Sequence, residues 1–194
     1  MSSRALTAVP QVVWDQDHIR VIDNVLSPEI CTALIEGFEA NSDQHVELPH
    51  SLQTVLVDWN WPHKDQAVRY LNQVVNDEYH SYAEHWDQNL MLPQKWFTDG
   101  YRVKAYRPQQ HEFILHVDTV NKSTSQRFIS FLFYLNDSDA GTEFPTYHHT
   151  VAAKQGRLLI FPPNWQYPHR GLMPMTGSQH EGGTSTAVSI SQRL

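Results

Sequence analysis

The segment EFILHVD, residues 112–118, combines a β-strand pattern with a candidate pair of metal ligands. It belongs to a series of short runs, rich in β-branched and aromatic residues, that follows residue 98. The runs are YRVKAY (101–106), EFILHVD (112–118), RFISFLFYLN (127–136), GTEF (141–144), TVAA (150–153), RLLIF (157–161) and STAVSIS (185–191). The segments between them are rich in residues that form tight turns. This pattern predicts a β-sandwich or barrel in the second half of the chain.

The first half of the chain is predicted to carry the helices. Ser27 followed by Pro28 is a helix-start signal, and the apolar spacing that follows predicts a helix from about residue 28 to about 40. A second helix is predicted after Pro62, where apolar residues recur at intervals of three and four. They are Val68, Leu71, Val75, Tyr79, Tyr82 and Trp86. Helices followed by strands predict an α+β fold.

Length and composition favour one domain. With 194 residues and a hydrophobic fraction of 40%, the chain is expected to fold around one core. We predict a helical support region with the first strands over about 1–97, and a β core with the functional site over about 98–194. The lone Cys31 lies in an apolar-spaced run, so we interpret it as a buried core residue rather than a redox group.

Charge and hydropathy exclude several classes of function. The formal net charge of −7 disfavours general attraction to nucleic acid or to an anionic membrane, so neither is an expected partner. No apolar run approaches the roughly 20 residues that cross a bilayer, and the N-terminus lacks a secretory pattern. A cytoplasmic location is therefore expected.

His116 and Asp118 are the first candidate metal ligands. Residues two apart on a strand point to the same face, with Cα atoms about 6.6 Å apart. Ile114 and Leu115 beside them indicate apolar surroundings, where an unpaired carboxylate is costly. A His-x-Asp pattern alone also fits a solvated strand end. A third ligand is required, and His169 is well placed because it follows the strand-like run 156–162 after a short turn. Two imidazoles and one carboxylate form the ligand set of non-haem Fe(II) oxygenases.

The other histidines are weaker candidates among the twelve in the chain. His80 and His85 lie five apart on the predicted second helix, which does not place them on one face. His111 precedes the candidate ligand strand and is expected to face substrate or solvent. The aromatic residues Trp59, Trp61, Trp86 and Trp96 are interpreted as packing residues.

The order of these motifs resembles that of the 2-oxoglutarate/Fe(II) oxygenase superfamily, in particular its prolyl-4-hydroxylase-like branch. The resemblance covers about the last hundred residues and, more weakly, 21–38. It rests on Tyr106, His116-x-Asp118, Arg127 leading to Tyr134-Leu135-Asn136, GTEF at 141–144, GRLLIFP at 156–162 and His169. It implies a double-stranded β-helix, a jelly-roll and cupin-like core, supported by the N-terminal helices.

The resemblance also implies an activity. Iron held by His116, Asp118 and His169 would bind 2-oxoglutarate and O₂, form succinate and CO₂, and hydroxylate a C–H bond, with ascorbate as a reductant. Tyr106 and Tyr134 match positions whose phenols hydrogen-bond the carboxylates of the co-substrate, although both also fit as core aromatics. Expected substrates are a prolyl residue or an amino acid, in the form of a small molecule, peptide or protein.

The sequence departs from the family pattern after His169. Family members carry Arg or Lys nine to ten residues later, where it pairs with the far carboxylate of 2-oxoglutarate; here Ser178 and Gln179 stand at these positions. A buried dianion needs a cation. The candidate replacements are Arg127, Lys104, Arg102 and His180. We predict Arg127 first, because it shares a strand with Tyr134, and His180 second.

Two alternative functions remain open from the sequence. The missing cation is also compatible with a degenerate β-helix domain that binds a ligand or partner without turnover. A structural metal protein of the cupin type is disfavoured, because its site would need a fourth protein ligand.

Overall fold

The computed structural model describes residues 9–86, 92–176 and 184–193. These ranges contain two α-helices, Pro28–Ala40 (α1) and Lys64–Trp86 (α2). The strands are Gln11–Gln16 (β1), Ile19–Asp23 (β2), Val46–Leu48 (β3), Ser51–Val55 (β4), Phe97–Thr98 (β5), Arg102–Tyr106 (β6), Phe113–His116 (β7), Arg127–Tyr134 (β8), Gly141–Phe144 (β9), His149–Ala152 (β10), Leu158–Phe161 (β11), His169–Gly171 (β12) and Ser185–Arg193 (β13).

The two helices lie where the sequence predicts them. The side chain of Ser27 accepts a hydrogen bond from the N–H of Ile30 at 3.4 Å, and Pro28 occupies the first turn of α1. The buried residues of α1 are Cys31, Leu34, Ile35, Gly37 and Phe38. Burial raises the pKa of the Cys31 thiol to about 12, which fits its interpretation as a core residue.

The strands form two antiparallel sheets. The larger sheet has the order β1-β2-β11-β8-β13-β6-β4-β3, with β5 pairing on β13. The smaller sheet has the order β10-β9-β12-β7. Facing sheets of this kind enclose an interior that alternate residues of each strand reach. The prediction of an α+β double-stranded β-helix is confirmed by this arrangement and by the structural likenesses described below.

Strands β1 to β4 extend the larger sheet at both ends. β2 pairs with β11, and β4 pairs with β6. The sequence prediction placed first strands in 1–97 without locating them, because runs such as 51–55 are short and weakly alternating. The β1–β2 hairpin contacts the end of α2, where the indole N–H of Trp86 donates to Asp15 at 2.8 Å.

The main hydrophobic core lies between the two helices and the outer face of the larger sheet. It combines Leu34 and Leu71 from the helices with Val103, Phe133 and Val188 from the sheet. Trp59 is fully buried in this cluster, whereas Trp61, Trp86 and Trp96 pack at its border. Tryptophan thus serves packing at these positions, as predicted. Within the described residues, no helix is long and apolar enough to cross a membrane.

Candidate metal centre

Strand pairing in the smaller sheet brings two distant histidines together. His169 on β12 is the direct partner of His116 on β7. Their rings lie 4.3 Å apart, centroid to centroid. Residues 53 positions apart in the chain therefore share one place on the sheet because of register alone.

Asp118 reaches the same place from beyond the end of the strand. The sequence analysis placed His116 and Asp118 on one strand, but β7 ends at His116. The N–H groups of Asp118 and Thr119 both donate to the carbonyl of Pro163, at 3.0 and 3.3 Å, rather than to a neighbouring strand. This turn, and not the alternation of a strand, directs the carboxylate to the histidines.

The three side chains converge. One ligand atom from each of His116, Asp118 and His169 lies within 4.8 Å of the other two. The Asp118 Oδ1 atom is 3.4 Å from His116 Nε2 and 3.8 Å from His169 Nε2. Across the part of the chain that the structure describes, no fourth His, Cys, Asp or Glu joins this cluster, and His80 and His85 form no such cluster. An open ligand set is typical of a reactive metal site rather than a structural one.

Backbone carbonyls set the tautomer of both histidines. The Nδ1 of His116 lies 2.8 Å from the carbonyl of Ile114, and the Nδ1 of His169 lies 3.0 Å from the carbonyl of Tyr167. A carbonyl can only accept, so each Nδ1 carries the proton. Each Nε2 is thereby left with a lone pair directed at the cluster, as a metal ligand requires.

Ser130 orients the carboxylate. Its hydroxyl, on β8 of the larger sheet, donates to Asp118 Oδ2 at 3.0 Å and lies 3.0 Å from the hydroxyl of Ser191 on β13. Oδ1 is therefore the oxygen that faces the two histidines. The sequence analysis missed Ser130; the signal was its even spacing from Tyr134 on the same strand, which places both on the inner face.

The protonation states suit a cation. Burial alone would raise the pKa of Asp118, but the neighbouring imidazoles of His116 and His169 and the positive charge of Lys104 hold it below its usual range. Burial lowers the pKa of His169 to about 4, against the opposing attraction of Asp118. At neutral pH the cluster is thus an ionised carboxylate with a neutral His169, which fits a divalent metal.

The cluster lies on the wall of a cavity of about 390 Å³ between the two sheets. Its apolar lining includes Phe113, Leu132 and Phe161. The ring of Phe161 lies 4.7 Å from that of His169. The prediction that Ile114 and Leu115 supply these apolar surroundings is wrong, because their side chains are 71% and 54% exposed. The short ligand strand lies at the rim, so its intervening residues face solvent.

Tyr106 and Tyr134 lie on the inner face of the larger sheet. Tyr106 lines the cavity, and both line a smaller recess behind it. The phenol of Tyr134 donates to the Thr142 hydroxyl at 2.7 Å. Burial raises the pKa of both phenols, so both remain protonated donors at neutral pH.

The predicted replacement cations differ in their surroundings. Arg127 lines the cavity, but its Nε donates to Asp99 Oδ2 at 2.9 Å. His180 lies outside the described residues. Arg102 and Lys104 also line the cavity, and neither side chain forms an ion pair or hydrogen bond within the described ranges. Burial lowers the pKa of Lys104, and the negative charge of Asp118 acts in the opposite direction.

His111 does not face solvent and is not among the residues that line the cavity. It is buried, and its Nδ1 accepts the backbone N–H of Arg107 at 3.1 Å. The expected exposure to solvent is therefore wrong, because the loop folds back on itself and uses the ring to pair its own backbone.

Comparison with known proteins agrees with the motif order. Residues 101–186 match the model of the 2OG-Fe(II) oxygenase superfamily, and the chain has no significant match among curated protein sequences. The matched segment contains Tyr106, His116, Asp118 and His169. The predicted resemblance is confirmed, and so, for this superfamily, are the predicted cofactors Fe(II) and 2-oxoglutarate.

Solved structures share the fold over nearly the whole chain. A viral collagen prolyl hydroxylase from Paramecium Bursaria Chlorella virus-1, in complex with 2OG, aligns with a TM-score of 0.68 at 19% identity, over 94% of this chain and 98% of that one. A Trichoplax adhaerens prolyl hydroxylase in complex with a hypoxia inducible factor peptide aligns with a TM-score of 0.66 at 17% identity. The alignment covers 92% of this chain and 84% of that one. SnoK, a non-heme alpha ketoglutarate dependent carbocyclase from nogalamycin biosynthesis, aligns with a TM-score of 0.69 at 10% identity. The alignment covers 96% of this chain and 87% of that one. At these identities the likeness shows the fold.

Proposed function

We propose that this chain is an Fe(II)- and 2-oxoglutarate-dependent dioxygenase that hydroxylates a C–H bond of its substrate and forms succinate and CO₂. The observation that carries the proposal is the convergence of His116, Asp118 and His169 on the wall of the cavity between the two sheets. Two nitrogen ligands and one oxygen ligand, with no fourth among the described residues, leave positions for a co-substrate and O₂. The match to the superfamily model supports the same chemistry.

The residues of the site have separate roles in this proposal. His116 and His169 present Nε2, and Asp118 presents Oδ1, as the atoms that hold the metal. Bound iron supplies the oxidising chemistry, activating O₂ at the expense of 2-oxoglutarate. The protonated phenol of Tyr106 is a hydrogen-bond donor for a carboxylate in the cavity. The apolar rings of Phe113 and Phe161 limit the access of water, which strengthens the electrostatic interactions inside.

For the substrate we propose a prolyl residue within a peptide. The likeness to two prolyl hydroxylases, one of them in complex with a peptide, supports this choice. The rim of the site supports it further, because the exposed side chains of Ile114, Leu115 and Val120 offer apolar area beside the ligand cluster. Apolar rim residues of this kind suit an extended chain better than a small polar molecule.

The test is to incubate the iron-loaded protein with 2-oxoglutarate, O₂, ascorbate and a panel of prolyl peptides and free amino acids. Succinate is quantified by NMR, and each candidate substrate is analysed by mass spectrometry. The proposal predicts succinate together with one added oxygen on a prolyl peptide, and neither product with Asp118→Ala protein. Oxygen added only to a free amino acid would support the dioxygenase activity and contradict the choice of a peptide as the substrate. Iron binding without succinate formation would favour the degenerate domain that binds without turnover.

A further inference from the structure

The inner face of β6 presents a row of polar groups to the cavity. Arg102, Lys104 and Tyr106 line the cavity, whereas the alternate residues Val103 and Ala105 belong to the core beneath the helices. The alternation of a strand therefore directs both unpaired cations of β6 into the cavity that holds the ligand cluster.

The neighbouring strand β13 supplies no charge at the same level. In the sheet register, Lys104 is opposite Ala187 and Arg102 is opposite Ser189. Both partners are small and uncharged. The strand that follows the vacant positions Ser178 and Gln179 thus leaves space in front of the Lys104 side chain, rather than providing a cation of its own.

The Lys104 ammonium lies near the ligand cluster. Its Nζ is 4.9 Å from the centroid of the Phe113 ring, and that ring is 4.2 Å from the ring of His116. Lys104 and the carboxylate of Asp118 also attract each other electrostatically. A short dicarboxylate held at the cluster by one end can therefore place its other end beside this ammonium.

The other cations in the cavity are less suited to this role. Arg127 already forms an ion pair with Asp99, whose Oδ2 lies 2.9 Å from its Nε, so its guanidinium is held toward that carboxylate. Arg102 also lines a second cavity that contains Asp58. Within the described residues Lys104 lacks any such anionic contact, and a partly buried ammonium without one gains most from an incoming carboxylate.

We propose that Lys104 binds the far carboxylate of 2-oxoglutarate, in place of the cation that the family pattern puts nine to ten residues after His169. This inference rests on the proposed function and replaces the sequence-based choice of Arg127. It assigns recognition of the co-substrate to β6, on which Tyr106 adds a neutral donor two residues away. The cation thus comes from β6, which pairs with β13, the strand that follows Ser178 and Gln179 in the chain.

The experiment measures ligand binding rather than turnover. Mn(II) takes the place of iron, and calorimetry compares 2-oxoglutarate with 2-oxopentanoate, which has the same chain but no far carboxylate. The variants are Lys104→Met, Lys104→Arg, Arg102→Met and Arg127→Gln, with Lys95→Met as the control for loss of an exposed positive charge. Binding of 2-oxopentanoate and Mn(II) reports whether each variant is folded.

The proposal predicts that Lys104→Met weakens 2-oxoglutarate binding by about 10- to 100-fold and leaves 2-oxopentanoate binding unchanged. Lys104→Arg should retain most of the affinity, and Lys95→Met all of it. Unchanged 2-oxoglutarate affinity in Lys104→Met, a loss confined to Arg102→Met or Arg127→Gln, or equal weakening of both ligands would overturn the assignment. Failure of the wild-type protein to bind 2-oxoglutarate with Mn(II) would instead overturn the proposed function together with it.

Discussion

The two faces of the larger sheet are built by alternate residues of the same strands, yet their chemistry is opposite. On β8, Phe131 and Phe133 pack under the helices, while Ser130 reaches the ligand cluster. On β13, Val188 belongs to the helical core, while Ser191 contacts Ser130. Because strand side chains alternate, one sheet can keep its apolar packing and its polar site in separate residues. Stability and chemistry should therefore respond to different substitutions.

The largest effect is expected at Asp118 on the cavity side. Asp118→Ala removes a ligand oxygen, so Mn(II) affinity should fall by more than about 100-fold, beyond the loss typical of residues that only support a ligand. Turnover of 2-oxoglutarate should disappear. The thermal midpoint of the metal-free protein should stay close to that of the wild type, with the exposed Asp43→Ala as control. Loss of secondary structure in the metal-free variant, measured by circular dichroism, would show that Asp118 also stabilises the fold and would contradict the separation of stability from chemistry.

On the opposite face, Phe133→Ala should act on stability. The side chain is fully buried in the helical core, and its loss should lower the free energy of unfolding by about 3–5 kcal/mol. Urea denaturation measures this loss. The Mn(II) affinity of the folded variant should remain near that of the wild type at low temperature. A fall in metal affinity as large as that of Asp118→Ala would contradict the comparison.

Ser130 tests the difference between the two faces most closely, because it lies on β8 directly between two residues of the helical core. Ser130→Ala removes the donor to Asp118 Oδ2 and should reduce Mn(II) affinity by about 10- to 100-fold, the range for residues that orient a ligand. Ser130→Thr, which keeps the hydroxyl, should recover part of it. An equal loss in both variants would indicate a packing effect instead.

Asp23 provides the smallest expected effect and tests a polar contact remote from the site. The hydrogen bond from Arg157 lowers the pKa of Asp23, with burial opposing and Lys154 assisting. We expect Asp23→Asn to cost about 1–2 kcal/mol of stability at pH 7.

The dependence of this effect on pH follows from the direction of the pKa shift. The folded carboxyl is the stronger acid, so its contribution is complete above the unfolded pKa of about 4 and is lost as the pH falls through the lower folded value. The stability difference between wild type and Asp23→Asn should therefore persist at pH 5 and shrink toward pH 2. A difference that grows on acidification would reverse the assigned sign. Metal affinity should not change at neutral pH.

Local signals predicted the elements better than their mutual contacts. The cap at Ser27 and the apolar spacing after it were sufficient to place α1, and the richness in β-branched and aromatic residues placed β8 and β13. The meeting of His116 with His169 depends on the register of β7 with β12, which no local pattern contains. The resemblance in motif order supplied that pairing instead.

The features that the sequence did not predict have a common physical origin. The exposure of Ile114 and Leu115 depends on β7 being a rim strand, and the burial of His111 depends on how its loop folds back. The pairing of Arg127 with Asp99 joins residues on separate segments. Each of these features is a tertiary contact, and a sequence pattern indicates only which residues are available for it.

The most direct test of the central claim is an anaerobic crystal structure with Mn(II) and 2-oxoglutarate. The account predicts one metal ion within about 2.0–2.3 Å of His116 Nε2, Asp118 Oδ1 and His169 Nε2, with 2-oxoglutarate bound to the same ion. A metal bound elsewhere, or a fourth protein ligand closing this site, would contradict it.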